Sequence, residues 1–177
     1  KAGSKARIVA KMNALLEPKV IEALYAASKA GVKVDLIVRG ACALVPGLPG
    51  VSENIRVVSA VGRFLEHSRV FMFLNDGQTR VYLSSADWMD RNFFRRVEVC
   101  FPVLDPALAR RVYEAGLAPY LRRDAGVWEL GPDGNYSRKP SANPVQKRLL
   151  DQLAGAKSQV SRVSLRGMRK TLKRHRG

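Results

Sequence analysis

The chain has 177 residues, 31 Lys plus Arg against 15 Asp plus Glu, 46% apolar residues and two Cys. That length and apolar content suit one folded domain with a real core, which excludes wholesale disorder and a disulfide-stapled miniprotein. Cys42 and Cys100 stand far apart, with no CxxC and no neighbouring His, so neither a zinc site nor a disulfide framework is indicated and a reducing cytoplasm is expected.

In chain order, Ala6 to Ala10 reads as a short strand. A helix follows, with Pro18 at its first position, Val20, Ile21, Leu24 and Tyr25 on one face, and a stop at Gly31. Val32 to Val38 reads as a buried strand, and strand, helix, strand is the pattern of a parallel unit with a covering helix. That strand ends abruptly at Arg39-Gly40 before a loop rich in Gly and Pro. Ligands of α/β sheets gather beyond the carboxyl ends of the strands, so Arg39 points toward where a site would lie. No apolar run approaches the roughly 18 residues of a membrane span, because Arg39 interrupts Val34 to Val45. No signal-peptide pattern opens the chain, and its start at Lys1 rather than Met reads as a piece cut from something longer.

Ile55 to Ser59 is a further short strand, and Ser68 to Leu74 and Thr79 to Leu83 form a hairpin around Asn75-Asp76-Gly77. Val97 to Val103 reads as a buried strand. Asp105-Pro106 caps a helix to about Ala115 with Leu108, Val112 and Tyr113 inward. A second hairpin joins Val127 to Leu130 and Tyr136 to Arg138. A last helix opens on Asn143-Pro144-Val145-Gln146, a capping-box variant, and turns Val145, Leu149 and Leu153 inward.

Charge is uneven. From Arg138 to Gly177 there are 12 Lys or Arg against one Asp, leaving a net +5 of the total +16 for the first 137 residues. The expected division is a domain over 1–154 and a basic tail over 155–177, helical or disordered. A polyanionic partner follows from the charge: nucleic acid, an acidic membrane surface or a phosphate polymer.

The chemistry-bearing block runs from Gly62 to Glu98. Strand alternation lets His67 and Arg69 face one cleft, and Ser85 and Asp87 likewise if that segment stays extended. An imidazole beside a cation and hydroxyls makes a phosphate site: it can attack phosphorus or donate a proton, while Arg, Ser and backbone N–H groups hold the oxygens. A lone His is more often structural, but Arg69 and Ser84-Ser85 beside it favour the site. Trp88 reads as core, and Glu98 either as a buried orienting carboxylate or as an edge-strand residue.

His67-x-Arg69, followed by Ser84-Ser85-Ala86-Asp87-Trp88 and a later Glu98, resembles the H-x-K and G-S-x-N signature of the phospholipase D superfamily, whose paired half-sites work through a phosphohistidine. AKMNAL at 10–15, DLIVRG at 35–40, SENIRV at 52–57, GRFLEHSRV at 62–70, YLSSADWM at 82–89 and RRVEV at 95–99 resemble the carboxyl-terminal catalytic domain of the bacterial polyphosphate kinases over about residues 6–154. The resemblance implies an α/β fold, a phospholipase D-like mixed sheet with flanking helices. It implies reversible transfer of the ATP terminal phosphate to inorganic polyphosphate through a phosphohistidine upstream of this chain, with Mg2+ ligands and adenine contacts also upstream. His67 matches the family's second catalytic histidine, and Arg39 the arginine that binds ATP phosphates with it. Arg69, Ser85 and Arg91 would then line the path. Phe93-Phe94 replaces a more polar pair, and the tail has no family counterpart.

The implied partners are ATP or ADP, polyphosphate, the enzyme's upstream domains and further copies of the chain, with nucleic acid as a partner of the tail. The implied location is the cytoplasm, peripheral attachment at the inner membrane included. This chain alone is expected to be inactive. Two alternatives stay open: a polyanion- or nucleic-acid-binding module, and a phospholipase D-like nuclease acting as a dimer.

Overall fold

The computed structural model describes residues 5–138 and 140–155. ARIVAKM forms β1 (Ala6–Met12), and KVDLIV forms β2 (Lys33–Val38), in parallel with Met12 opposite Val38. Between them α1 (Pro18–Lys29) begins at an N-cap where Glu17 accepts from the Lys19 N–H, with Pro18 at the first helical position. β3 (Ile55–Ser59) adds parallel to β2. β4 (Arg69–Asn75) and β5 (Gln78–Ser84) form the hairpin, and β4 lies antiparallel to β1. At its tip Asp76 and Gly77 take φ of 47° and 83°, the left-handed pair that a two-residue turn joining twisted strands requires.

A short α2 (Asp90–Phe94), β6 (Cys100–Pro102), α3 (Pro106–Gly116), α4 (Ala118–Leu121), β7 (Trp128–Leu130), β8 (Tyr136–Arg138) and α5 (Val145–Gly155) complete the chain. The eight strands make one mixed sheet in the order β6-β5-β4-β1-β2-β3-β7-β8, the α/β architecture of a mixed sheet with flanking helices expected from the sequence. Central strands bury both faces. Ala10, Met12, Leu36, Val38 and Val57 face the core under α1, while Val9, Ile37, Val58 and Val70 face the core shared with Leu117, Tyr120 and Val145. That double burial explains why Ile8-Val9-Ala10 in β1 and Leu36-Ile37-Val38 in β2 are consecutive apolar residues instead of alternating with polar ones.

Several local expectations are corrected. The stretch 97–103 is no buried strand: only Cys100–Pro102 pairs, at the sheet edge, and all three residues are exposed. Leu108 is 52% exposed, because α3 turns Ala109, Val112 and Tyr113 toward the sheet and Leu108 lies off that row. Leu153 is 67% exposed, since α5 contacts the core only through Val145 and Leu149. The capping box at Asn143–Gln146 does not form. The Val145 N–H donates to the Ala125 carbonyl, and the Gln146 side chain reaches across to Phe64 and Glu66. The basic tail lies outside the described residues beyond Gly155.

The topology fixes where chemistry can sit. β1, β2 and β3 run in parallel and end together, while β4 runs the opposite way and begins there, and β5 returns to end there. Asn13, Arg39, His67, Arg69 and Ser85 therefore meet along one sheet edge, although the sequence spreads them across more than seventy positions.

Candidate active site

Asn13 is the first residue beyond β1, and at 7% exposure its backbone is held from both sides. Its N–H donates to Asp87 Oδ1 at 2.7 Å, and its carbonyl accepts from the Gly40 N–H at 2.8 Å. The approach to Gly40 is close enough that a Cβ there would stand 3.2 Å from that carbonyl oxygen, which accounts for glycine after Arg39. The Asn13 side chain then reaches both candidate phosphate residues. Arg39 Nε donates to Asn13 Oδ1 at 2.9 Å, and Asn13 Nδ2 lies 3.2 Å from His67 Nδ1.

Arg39 extends β2 by one residue; its N–H donates to the Met12 carbonyl at 3.2 Å and its own carbonyl accepts from Ser59 Oγ at 2.8 Å. Among the described residues only Nε of its guanidinium has a hydrogen-bond partner, which leaves both terminal nitrogens with donors to spare. His67 is exposed, and Nδ1 is its one ring atom with a partner among the described residues. The edge thus presents a cation and an imidazole nitrogen side by side, a pair suited to gripping the oxygens of a transferring phosphoryl group.

Arg69 is placed otherwise. Its side chain is 12% exposed and forks onto Asp87, Nε to Oδ1 at 3.1 Å and Nη2 to Oδ2 at 2.9 Å, while Nη1 donates to the His67 carbonyl at 2.9 Å. Burial works to raise the Asp87 carboxyl, but the Arg69 hydrogen bonds, the Asn13 N–H and the Arg69 charge together hold it below the usual aspartate range. Ser85 is exposed, and its Oγ donates to Glu98 and accepts from the Val99 N–H at 3.0 Å. Hydrogen bonds from Ser85 and Asn92 hold the Glu98 carboxyl below its ordinary range, which makes Glu98 a strap at the end of β5. Arg91 is exposed on α2, with no side-chain partner among the described residues. Trp88 is core, 8% exposed and 5.0 Å from the Phe71 ring between centroids.

Beneath His67 lies a polar cluster that residue-type reasoning passes over. Lys11, 3% exposed, donates to Glu66 Oε2 at 2.6 Å, Ser68 Oγ at 3.0 Å and Tyr120 Oη at 3.0 Å. Glu66 also accepts from Tyr120 at 2.8 Å and from Gln146 at 2.9 Å. Desolvation would raise the Glu66 carboxyl, yet the Lys11 hydrogen bond and charge, joined by Gln146 and Tyr120, keep it below its ordinary range. A lysine inside an apolar strand was the available signal, because a buried ammonium requires partners. Asn13 carried a weaker one, a polar residue at a carboxyl strand end.

The chain matches the family described as Polyphosphate kinase C-terminal domain 2 over residues 1–149. It is 60% identical to the polyphosphate kinase of Burkholderia multivorans over 154 residues, 87% of this chain and 22% of that protein. To the polyphosphate kinase of Xylella fastidiosa it is 61% identical over 136 residues, 77% of this chain and 20% of that one. The crystal structure of polyphosphate kinase from Porphyromonas gingivalis superposes with a TM-score of 0.80 at 42% identity, over 86% of this chain and 24% of that one. The chain therefore spans about a fifth of the length of the curated relatives it matches.

Proposed function

The chain belongs to the polyphosphate kinase family through its C-terminal domain 2, and on that premise we propose that it supplies half of the active site of an ATP:polyphosphate phosphotransferase. In this reading residues 1–154 form the domain, and the phosphorylated histidine stands in the polypeptide upstream. Arg39 and His67 contact the phosphate that moves reversibly between ATP and the polymer. The observation that carries the reading is the Asn13 bridge, which sets the Arg39 guanidinium and the His67 imidazole beside each other at the carboxyl edge of the sheet. Arg91, exposed on α2, lines the approach of the polymer, whereas Arg69 and Ser85 support the walls through Asp87 and Glu98.

Mg2+, which the family implies, does not fit the residues present. No group of three or more His, Cys, Asp or Glu side chains among the described residues could hold a metal, and the two carboxylates near the edge, Asp87 and Glu98, are engaged by Arg69 and by Ser85 and Asn92. Its ligands are expected in the upstream polypeptide. The polymer and ATP or ADP are the small partners, with the upstream domains, further copies of the chain and, for the basic tail, nucleic acid as the larger ones. No helix among the described residues is long and apolar enough to cross a membrane; the cytoplasm, with the inner membrane surface as a peripheral site, is the proposed location. The nuclease alternative finds no support in Arg69, whose fork is closed on Asp87.

Transfer from ATP labelled in its terminal phosphate tests the reading. The 177-residue chain alone should make no labelled polymer, and the chain joined to its upstream polypeptide should. Arg39→Ala and His67→Ala in the joined protein should each lose roughly 100- to 1000-fold in turnover with folding retained, the usual effect of removing one preorganised donor. Polymer synthesis by the chain alone, or near-normal turnover of folded Arg39→Ala, would refute it.

A further inference from the structure

We propose that Asn13 is a positioning residue that fixes the tautomer of His67, so that the ring presents an N–H at Nε2 and not a free lone pair. The argument begins at Arg39. A guanidinium only donates hydrogen bonds, so the Asn13 atom 2.9 Å from Arg39 Nε has to be the side-chain oxygen. The amide cannot turn over without setting N–H against N–H. Its nitrogen is therefore committed to the other direction, where it lies 3.2 Å from His67 Nδ1. An amide nitrogen is a donor with no acceptor capacity, so Nδ1 accepts and carries no proton. In a neutral imidazole the proton then resides on Nε2.

The surroundings of Asn13 support this assignment. Its N–H to Asp87 and its carbonyl from Gly40 anchor the main chain from which the buried side chain projects, and the Arg69 fork holds both Asp87 and the His67 carbonyl in place. An imidazole that attacks phosphorus through Nε2 needs the opposite arrangement, with the proton on Nδ1 and a partner there that accepts. Asn13 supplies a donor instead. His67 accordingly acts as a hydrogen-bond donor to phosphate oxygen, placed with Arg39 on the two sides of the Asn13 amide, and does not act as a second phosphate acceptor. This consequence rests on the proposed contact between His67 and phosphate; the tautomer does not.

The test reads the tautomer directly, without phosphate. The 15N-labelled 177-residue chain is examined by long-range 1H–15N correlation about two pH units above the ordinary histidine value of ~6.5, and His67→Gln identifies which of the two histidine signals belongs to His67. Nε2 should appear as the protonated nitrogen and Nδ1 as the bare one. Asn13→Asp, whose side-chain oxygens only accept, should invert the pattern, and Asn13→Leu should give an average of the two forms. Should both variants unfold, Arg39→Met serves instead: it frees the amide to turn, and the single tautomer should give way to a mixture. A wild-type chain protonated at Nδ1, or averaged between tautomers, would overturn the proposal, as would Asn13→Asp or Arg39→Met folded with the pattern unchanged. Adding inorganic tripolyphosphate separates this from the functional reading. A shift of the Nε2–H signal supports the phosphate contact, while an unmoved Nε2 tautomer upholds Asn13 and removes His67 from the phosphate site.

Discussion

Arg69 shows how a residue's environment decides its role. Its charge and spacing after His67 place it among phosphate ligands, but the fold closes its guanidinium on Asp87, and both side chains are nearly buried at 12% and 5% exposure. Removing one member of such a pair leaves the other charge uncompensated, at a cost of about 3–5 kcal/mol. Arg69→Met should therefore lower the urea unfolding stability of the 177-residue chain by that order, and Arg69→Met with Asp87→Leu should recover part of the loss. A stable single variant that only weakens phosphate binding would return Arg69 to the path. Arg39 and His67, the residues proposed to meet phosphate, stand out in the sequence because a cation at a strand end and a histidine in a motif carry meaning by type and position. Asn13 does not, because its role depends on partners 26 and 54 positions away, which only the strand order brings together.

The segment between β3 and β4 carries His67, and its geometry is governed by elements from the far end of the chain. Gln146 of α5 donates to the Phe64 carbonyl and to Glu66 and accepts from the Phe64 N–H, while Tyr120 of α4 and Lys11 of β1 hold Glu66 from below. Since the folded Glu66 carboxyl titrates below its ordinary value, its contribution to stability is fully present above the unfolded value of about 4.3 and is lost as pH falls through the folded one. Asp87 acts in the same direction. Glu66→Gln should thus flatten, without abolishing, the decline of urea midpoints measured from about pH 6 to about pH 3; an unchanged slope would mean that the cluster does not couple to folding. Gln146→Ala should loosen the segment around Phe64 more than the sheet, read as faster amide exchange at Phe64 than at Val9 or Val58. The strands β1 to β5 were readable from clusters of β-branched and aromatic residues set between turn residues. Gln146 was misread as a cap because its local motif is satisfied equally well by a tertiary contact, and Val97 to Val103 because an apolar run does not reveal that it lies at an edge with no layer covering it.

At the scale of the whole molecule the charge divides along the chain. Residues 155–177 carry eight Lys or Arg and no acid, whereas every residue in the Asn13 constellation lies between Asn13 and Asp87. Polyanion binding by such a segment is driven mainly by release of counterions, with a salt slope of roughly 0.9 per phosphate neutralised on duplex DNA and about 0.7 on single strands. Polyphosphate, a flexible string of closely spaced charges, should follow the same law. Deleting 155–177 should therefore weaken polyphosphate and single-stranded nucleic acid together and flatten both salt dependences by several units, as eight cations at about 0.7 each allow. Turnover of ATP by the joined protein should stay nearly intact, because Arg39, His67 and the groups that hold them belong to the sheet edge. Titrations of both polymers at several salt concentrations, with and without the segment, decide the matter. An unchanged slope would make the tail a spectator, while loss of nucleic acid alone would make it a separate nucleic-acid module appended to the folded domain.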